Sequence, residues 1–114
     1  MKPGKGYVPG RGDIVWLEFN PQAGHEQSGT RPALVISPEE YNEKVGLAIF
    51  CPITHKEKGY PFESRINVRD KIKGVILSDQ VKSLDWRKRK AKYITRISQK
   101  VMNDVIEKIS LLIK

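Results

Sequence analysis

The sequence predicts a mainly β fold with a C-terminal helix: a small barrel of short strands with one helix packed on it. Three observations predict it. Short apolar or alternating runs recur along most of the chain, separated by clusters of Gly, Pro, Asn and Asp. From Ser98 onward the apolar period changes to that of a helix. The chain has 114 residues, 39% of them hydrophobic, which suits one domain with a real core, spanning 1–114.

The elements follow in order. Residues 1–11 carry no apolar segment of the kind a secretory signal has and read as a loose arm. GDIVWLEF (12–19) reads as a strand that is apolar on both faces near its centre. Residues 20–30 are rich in turn formers and read as a loop. RPALVIS is the second strand, with Pro32 at its start or on an edge. SPEEYNEKVG (37–46) has the marks of a very short helix: Ser37 as cap, Pro38 at the first helical position, Glu40 completing a capping box, and Gly46 as the stop. LAIFCPIT (47–54) is apolar throughout, as a buried strand is, and FESRINV (62–68) alternates as its return. RDKIKG reads as a turn, VILSDQVKSLD (75–85) as a strand pair or a bent strand, and KYITRIS (92–98) as the last strand. In the tail Val101, Val105, Ile109, Leu112 and Ile113 form a helical stripe behind Ser98, a suitable N-cap.

Charge is the strongest bulk property. Lys and Arg number 21 against 13 Asp and Glu, a net of +8, so the partners to expect are polyanions. The lone Cys51 excludes an internal disulfide and fits a cytoplasmic setting; within LAIFCPI it reads as a buried thiol. No HxH, HExxH or CxxC pattern points to a metal, so no metal and no cofactor is expected. Phosphate-binding glycine loops and a serine nucleophile elbow are missing from the sequence too. No run is long enough to span a membrane.

Metal-free cleavage of RNA remains open, because RNA carries its own nucleophile, the 2′-hydroxyl. A protein need only orient it, take its proton, stabilise the crowded phosphate and protonate the leaving oxygen. HEQSGTRPALVIS (25–37) clusters ionisable groups in a glycine-bearing loop at the mouth of a strand. Arg31 there suits a phosphate clamp, since its planar fork matches phosphate oxygens. Glu26 beside it, with Thr54 or His55 on another loop, could supply the remaining roles, and His25 with His55 could form an acid–base couple. Each has a plain structural use as well: Arg31 in a salt bridge, Glu26 in solvent, Thr54 at a strand end, Asp79 capping a turn. WRKRKAK (86–92) sets basic residues beside a tryptophan, a pattern that tracks an RNA backbone and stacks a base, or guards a strand edge.

GDIVWLEFNPQAGHEQSGTRPALVIS, CPIT…KGYPFE and LSDQVKSLDWR together resemble the MazF/PemK family of toxin endoribonucleases, in the right order and at the right spacing from Gly12 to the C-terminus. The resemblance implies an SH3-like barrel, a homodimer and a cytoplasmic, metal-independent, sequence-specific ribonuclease for single-stranded RNA that leaves 2′,3′-cyclic phosphate and 5′-hydroxyl ends. It implies as partner an antitoxin of the MazE type, whose acidic disordered tail covers the RNA groove. By the same resemblance Arg31 stabilises the phosphate and takes part in proton transfer. Thr54 donates a hydrogen bond to the phosphate, Glu26 serves activity or shapes the site, and Asp79 is a possible catalytic acid or base. Gln27, Thr30, Lys56 and Lys58 are candidate RNA contacts. So are Gln80, Lys82, Trp86 and Arg87, with Gln80 suited to a base edge. Thr30 stands where some members carry His, which places the cut-site preference in the loops. Two rivals share the fold: a gyrase inhibitor like the CcdB family, and an RNA-binding barrel without catalysis. The first places Trp-Gly-Ile at its C-terminal end, whereas this chain ends LLIK.

Overall fold

The computed structural model describes residues 6–19 and 29–114. Seven strands and two helices follow in the order β1 (Asp13–Glu18), β2 (Thr30–Val35), α1 (Glu39–Val45), β3 (Leu47–Thr54), β4 (Glu63–Val68), β5 (Ile72–Leu77), β6 (Lys82–Asp85), β7 (Lys92–Arg96) and α2 (Gln99–Ile113). The strands form one antiparallel sheet, ordered β4-β5-β3-β2-β1-β7, with β6 also on β3. It curls into a half-barrel. The expected mainly β barrel with a C-terminal helix is therefore what the chain forms.

β3 organises the sheet. Along its length it pairs with β2 (Ala33 with Pro52, Val35 with Phe50), with β6 (Leu47 with Asp85, Phe50 with Lys82) and, at its end, with β5 (Ile53 with Ile76, Thr54 with Val75). Apolar residues on both of its faces feed two cores. Ile14, Leu34, Cys51, Ile53, Ile66 and Ile76 pack under Met102 and Val105 of α2. Val15, Leu17, Phe19, Val35, Phe50 and Trp86 form the second. Neighbours Ile14 and Val15 go to different cores, as a strand apolar on both faces requires.

The helix start at 37–39 differs from expectation. Ser37 does not cap α1 and no capping box forms; Pro38 is the N-cap and makes no side-chain bond. The Ser37 hydroxyl is committed elsewhere, donating to Asn42 Oδ1 at 2.5 Å and accepting from the Ile49 N–H at 2.8 Å. Asn42 is fully buried. Its Nδ2 donates to the carbonyls of Pro9 and Ser37, and its own carbonyl accepts the Trp86 indole N–H at 2.9 Å. Asn42, on α1, thus joins the N-terminal segment and the turn after β6, and reaches β3 through Ser37. Gly46 closes α1 in the left-handed conformation, as expected. Ser98 caps α2 through the Val101 N–H.

Two further boundaries move. Ile72–Gly74, read as turn, belongs to β5. Residues 7–11, read as part of a loose arm, are bound to the barrel. Tyr7 donates to Asp13 at 2.7 Å, Pro9 is buried, and Arg11 Nε donates to the Ile36 carbonyl at 2.6 Å. Asp13 also pairs with Arg96 of β7 at 2.6 Å, so this segment is built into the barrel. Residues 1–5 lie outside the described residues. Among the described residues no helix is long and apolar enough to cross a membrane.

Candidate active site

The elements converge at the end of β3. The β2–β3 ladder stops at Ala33–Pro52, two residues short of both Arg31 and Thr54. Arg31 is half-buried at the start of β2, opposite Leu17. Thr54 is 8% exposed. Its Oγ1 accepts the Lys56 N–H at 3.2 Å, which turns the chain out of the strand and leaves the hydroxyl proton available to donate.

The turn opens the loop 55–62, and Glu63 holds that loop in shape. Its carboxylate accepts the N–H groups of Gly59 at 2.9 Å and Lys58 at 3.2 Å, and its own N–H donates to the Tyr60 carbonyl at 3.1 Å. Gly59 has φ near +81°, which a side-chain-bearing residue adopts only with strain. On the opposite wall a 3-10 turn, Ser78–Gln80, presents Asp79 and Gln80. Between these walls lies a cleft of about 570 Å³ lined by Thr54, Lys56, Lys58, Tyr60, Glu63, Leu77, Asp79 and Gln80. Gln80 Oε1 is buried there with no hydrogen-bond partner, and so is the nearby Ser78 hydroxyl. A buried acceptor without a donor carries a desolvation cost that an incoming N–H would relieve.

The structure therefore gathers five of the expected residues in one cleft: Thr54, Lys56, Lys58, Asp79 and Gln80. Arg31 stands outside its walls, at the neighbouring strand end. His55 lines an adjoining cleft instead, so it does not join Thr54 and Asp79. Thr30 pairs with Glu18 and Lys82 with Phe50, each at a strand start away from the cleft walls. Trp86 is a correction: it is 6% exposed, bonded to Asn42, and covered by the Arg87 guanidinium 4.6 Å from its ring centre. A ring so enclosed cannot stack a base, and Arg87 is engaged in covering it. His25, Glu26 and Gln27 lie outside the described residues. Sequence reading missed Tyr60 and Glu63. The signal for both was present in KGYPFE, where a glycine precedes an aromatic and an acid follows.

Cys51 is no nucleophile. Burial, with a smaller contribution from Asp79, pushes its thiol up to about 12. Among the described residues no group of three His, Cys, Asp or Glu is placed to hold a metal ion.

A half-barrel backed by one helix, with lysines and hydrogen-bonding groups around a cleft at the end of its central strand, defines a small β protein built to meet an anionic ligand. Comparison with known proteins gives the family. Residues 10–113 match the model of the PemK-like, MazF-like toxin of type II toxin-antitoxin systems, and the chain belongs to that family. It is 43% identical over 107 residues to the endoribonuclease toxin MazF of Escherichia coli K12, covering 94% of this chain and 96% of the relative. It is 32% identical to the endoribonuclease PemK of Escherichia coli, covering 90% and 80%. The crystal structure of MazF from Deinococcus radiodurans superposes with a TM-score of 0.90 at 48% identity, covering 94% of this chain and 97% of that one. A MazE-MazF complex from the same organism matches with a TM-score of 0.84.

Proposed function

We propose that this chain is the toxin of a type II toxin–antitoxin pair and a metal-independent, sequence-specific endoribonuclease for single-stranded RNA. One observation carries the reading: a family member's central strand delivers Thr54 into a cleft shared with Lys56, Lys58, Asp79 and Gln80.

The chemistry uses the substrate's own nucleophile. The 2′-hydroxyl attacks the adjacent phosphorus, the P–O5′ bond breaks, and the products carry a 2′,3′-cyclic phosphate and a 5′-hydroxyl. The 2′-hydroxyl loses its proton to a base, and the departing O5′ gains one from an acid. Thr54 donates its hydroxyl proton to a non-bridging oxygen, where charge grows in the transition state. Arg31, two residues beyond the end of the β2–β3 ladder, clamps the same phosphate. Its electrostatic part in the step is separate from its part in proton transfer. Asp79 and Glu26 are the carboxylates offered for proton transfer. Gln80, on the cleft wall, is the side chain offered to a base edge. DNA lacks the 2′-hydroxyl and is not cut.

The protein works in the cytoplasm as a single-domain homodimer. It is silenced by an antitoxin of the MazE type, whose acidic tail competes with RNA for the lysines. The test is incubation of a long single-stranded RNA in EDTA with end mapping. A DNA strand of equal sequence and an Arg31→Ala protein run alongside. Cuts at one recurring short word with 5′-hydroxyl ends, absent from both controls, are expected. No cutting by folded wild-type protein would overturn the reading, and a gyrase supercoiling assay would then decide for the inhibitor.

A further inference from the structure

Glu63 is an acid on the wall of a cleft meant for an anion. Turned toward an incoming phosphate, its charge would oppose binding. It is turned to the loop backbone instead. Oε1 accepts the N–H groups of Gly59 at 2.9 Å and Lys58 at 3.2 Å, and Oε2 lies 3.2 Å from the same Lys58 nitrogen. The Glu63 N–H closes the far end of the loop on the Tyr60 carbonyl at 3.1 Å. The Glu57–Arg65 ion pair on this stretch is largely exposed and adds little hold. One side chain at the head of β4 thus sets the course of the backbone that carries Lys58, with Lys56 two residues before it.

Glu63 is itself gripped from behind. Successive side chains on a strand point to opposite faces, so Glu63 meets the cleft while Ser64 meets α2. Lys108 of α2 reaches the backbone between them. Its ammonium donates to the Glu63 carbonyl at 2.8 Å and to the Ser64 hydroxyl at 3.1 Å, and it pairs with Asp104 at 3.0 Å. Three donors meet three acceptors. β4 is the terminal strand of the sheet, with β5 as its strand neighbour. The head of such a strand frays readily, and Lys108 supports it from the side of the helix. Lys108 does not line the cleft, so it acts there only through the Glu63 backbone.

We infer that Glu63 and Lys108 are positioning residues for the cleft. Lys108 fixes the head of β4, and Glu63, through its carboxylate, fixes the loop that presents the two lysines. The inference rests on the ribonuclease reading above. Neither residue takes part in proton transfer or touches the reacting atoms. Both act on the loop before RNA arrives, because a loop ordered in advance loses less freedom on binding.

Two measurements test this. Hydrogen exchange at the Lys58 and Gly59 amides reports the loop with no RNA present. Steady-state cutting of an RNA with a single mapped site separates KM from kcat. Glu63→Ala should speed exchange at both amides and raise KM about tenfold, the worth of one hydrogen bond to a charged group, with kcat changed less than KM. Glu63→Gln keeps an acceptor for the loop and should recover most of the affinity, with a pH profile shaped as in wild type. Lys108→Met keeps the apolar stem and should move exchange and KM in the same direction by less. Asp104→Asn is the control: it weakens the docking of α2 but leaves the bond to the Glu63 carbonyl, so melting temperature should fall while KM and both amides stay as in wild type. If Glu63→Gln loses kcat as fully as Glu63→Ala, with one limb of the pH profile gone, Glu63 is a proton-transfer group and the inference is wrong. If KM follows melting temperature in every variant, Asp104→Asn included, the role is structural only. Unchanged amide exchange in Glu63→Ala would remove the hold on the loop. If wild type does not cut RNA, the ribonuclease reading itself fails, while the two amides still decide whether Glu63 and Lys108 set the loop.

Discussion

Thr54 and Cys51 lie three residues apart on one strand and have opposite fates. Thr54 stands where β3 leaves the sheet, so its hydroxyl meets the cleft. Cys51 is enclosed between strands and the C-terminal helix, so its thiol does not. Thr54→Val keeps the shape and removes the donor; kcat should drop about a hundredfold with the melting temperature little changed. A normal kcat in the valine variant would remove Thr54 from the phosphate. The Cys51 thiol should resist a thiol reagent at pH 8, where its value of about 12 keeps it protonated, and react only once the chain is unfolded in urea. Fast labelling of the native protein would show that β3 opens. At this scale the sequence was legible where a residue's neighbours along the chain decide its setting, as for Cys51 in LAIFCPI. It was misleading for Trp86. The basic run around that residue suggests a surface, but Asn42, far away in sequence, draws the indole inward with a hydrogen bond.

The strands were legible as elements because their period and turn residues are local. The start of α1 was not, since Ser37 is taken by Asn42 and by β3, neither of which a local capping pattern can register. Contacts between elements also set which substitutions matter. A Cβ at Gly74 would run into the Thr54 carbonyl of β3. Gly74→Ala should cost about 1–3 kcal/mol in urea unfolding and reduce cutting together with stability, as overpacking does. Unchanged activity in that variant would show that the approach of β5 does not position Thr54. The C-terminal helix is held to β4 by Asp104, which accepts from Ser64 at 2.6 Å and pairs with Lys108 at 3.0 Å. The Ser64 hydrogen bond, then Lys108, hold the Asp104 carboxyl below its ordinary range. A depressed folded value stabilises above the unfolded value of about 3.9 and is lost as pH falls through the folded one. Asp104→Asn should therefore melt below wild type at neutral pH, and the gap should close in acid. A gap that stays constant from pH 7 to pH 2 would count against the ionic contribution.

At the scale of the molecule, the net charge of +8 foretold an anionic partner, and the family match agrees. The cleft itself was not legible. It is assembled from a strand end, a loop and a 3-10 turn spread over residues 54 to 80, and only the register of β3 with β5 brings them together. The sequence supplied the chemistry of the residues and the fold supplied their address. Affinity for unspecific single-stranded RNA should fall with salt by about 0.7 in log units per phosphate contacted, per log unit of salt. Filter binding over a sodium chloride series checks this, and an affinity indifferent to salt would show that the lysines do not face the backbone.

The two tryptophans sit in opposite surroundings. Trp86 is shut in beneath Arg87, whereas Trp16, on β1 between Pro32 and Lys92, is 43% open to water. Their light emission should differ accordingly, the enclosed indole at shorter wavelength and shielded from iodide, the open one at longer wavelength and readily quenched. The protein thus contains two optical reporters without any label attached. One follows the integrity of the interior, and the other registers whatever settles on the outside of the barrel.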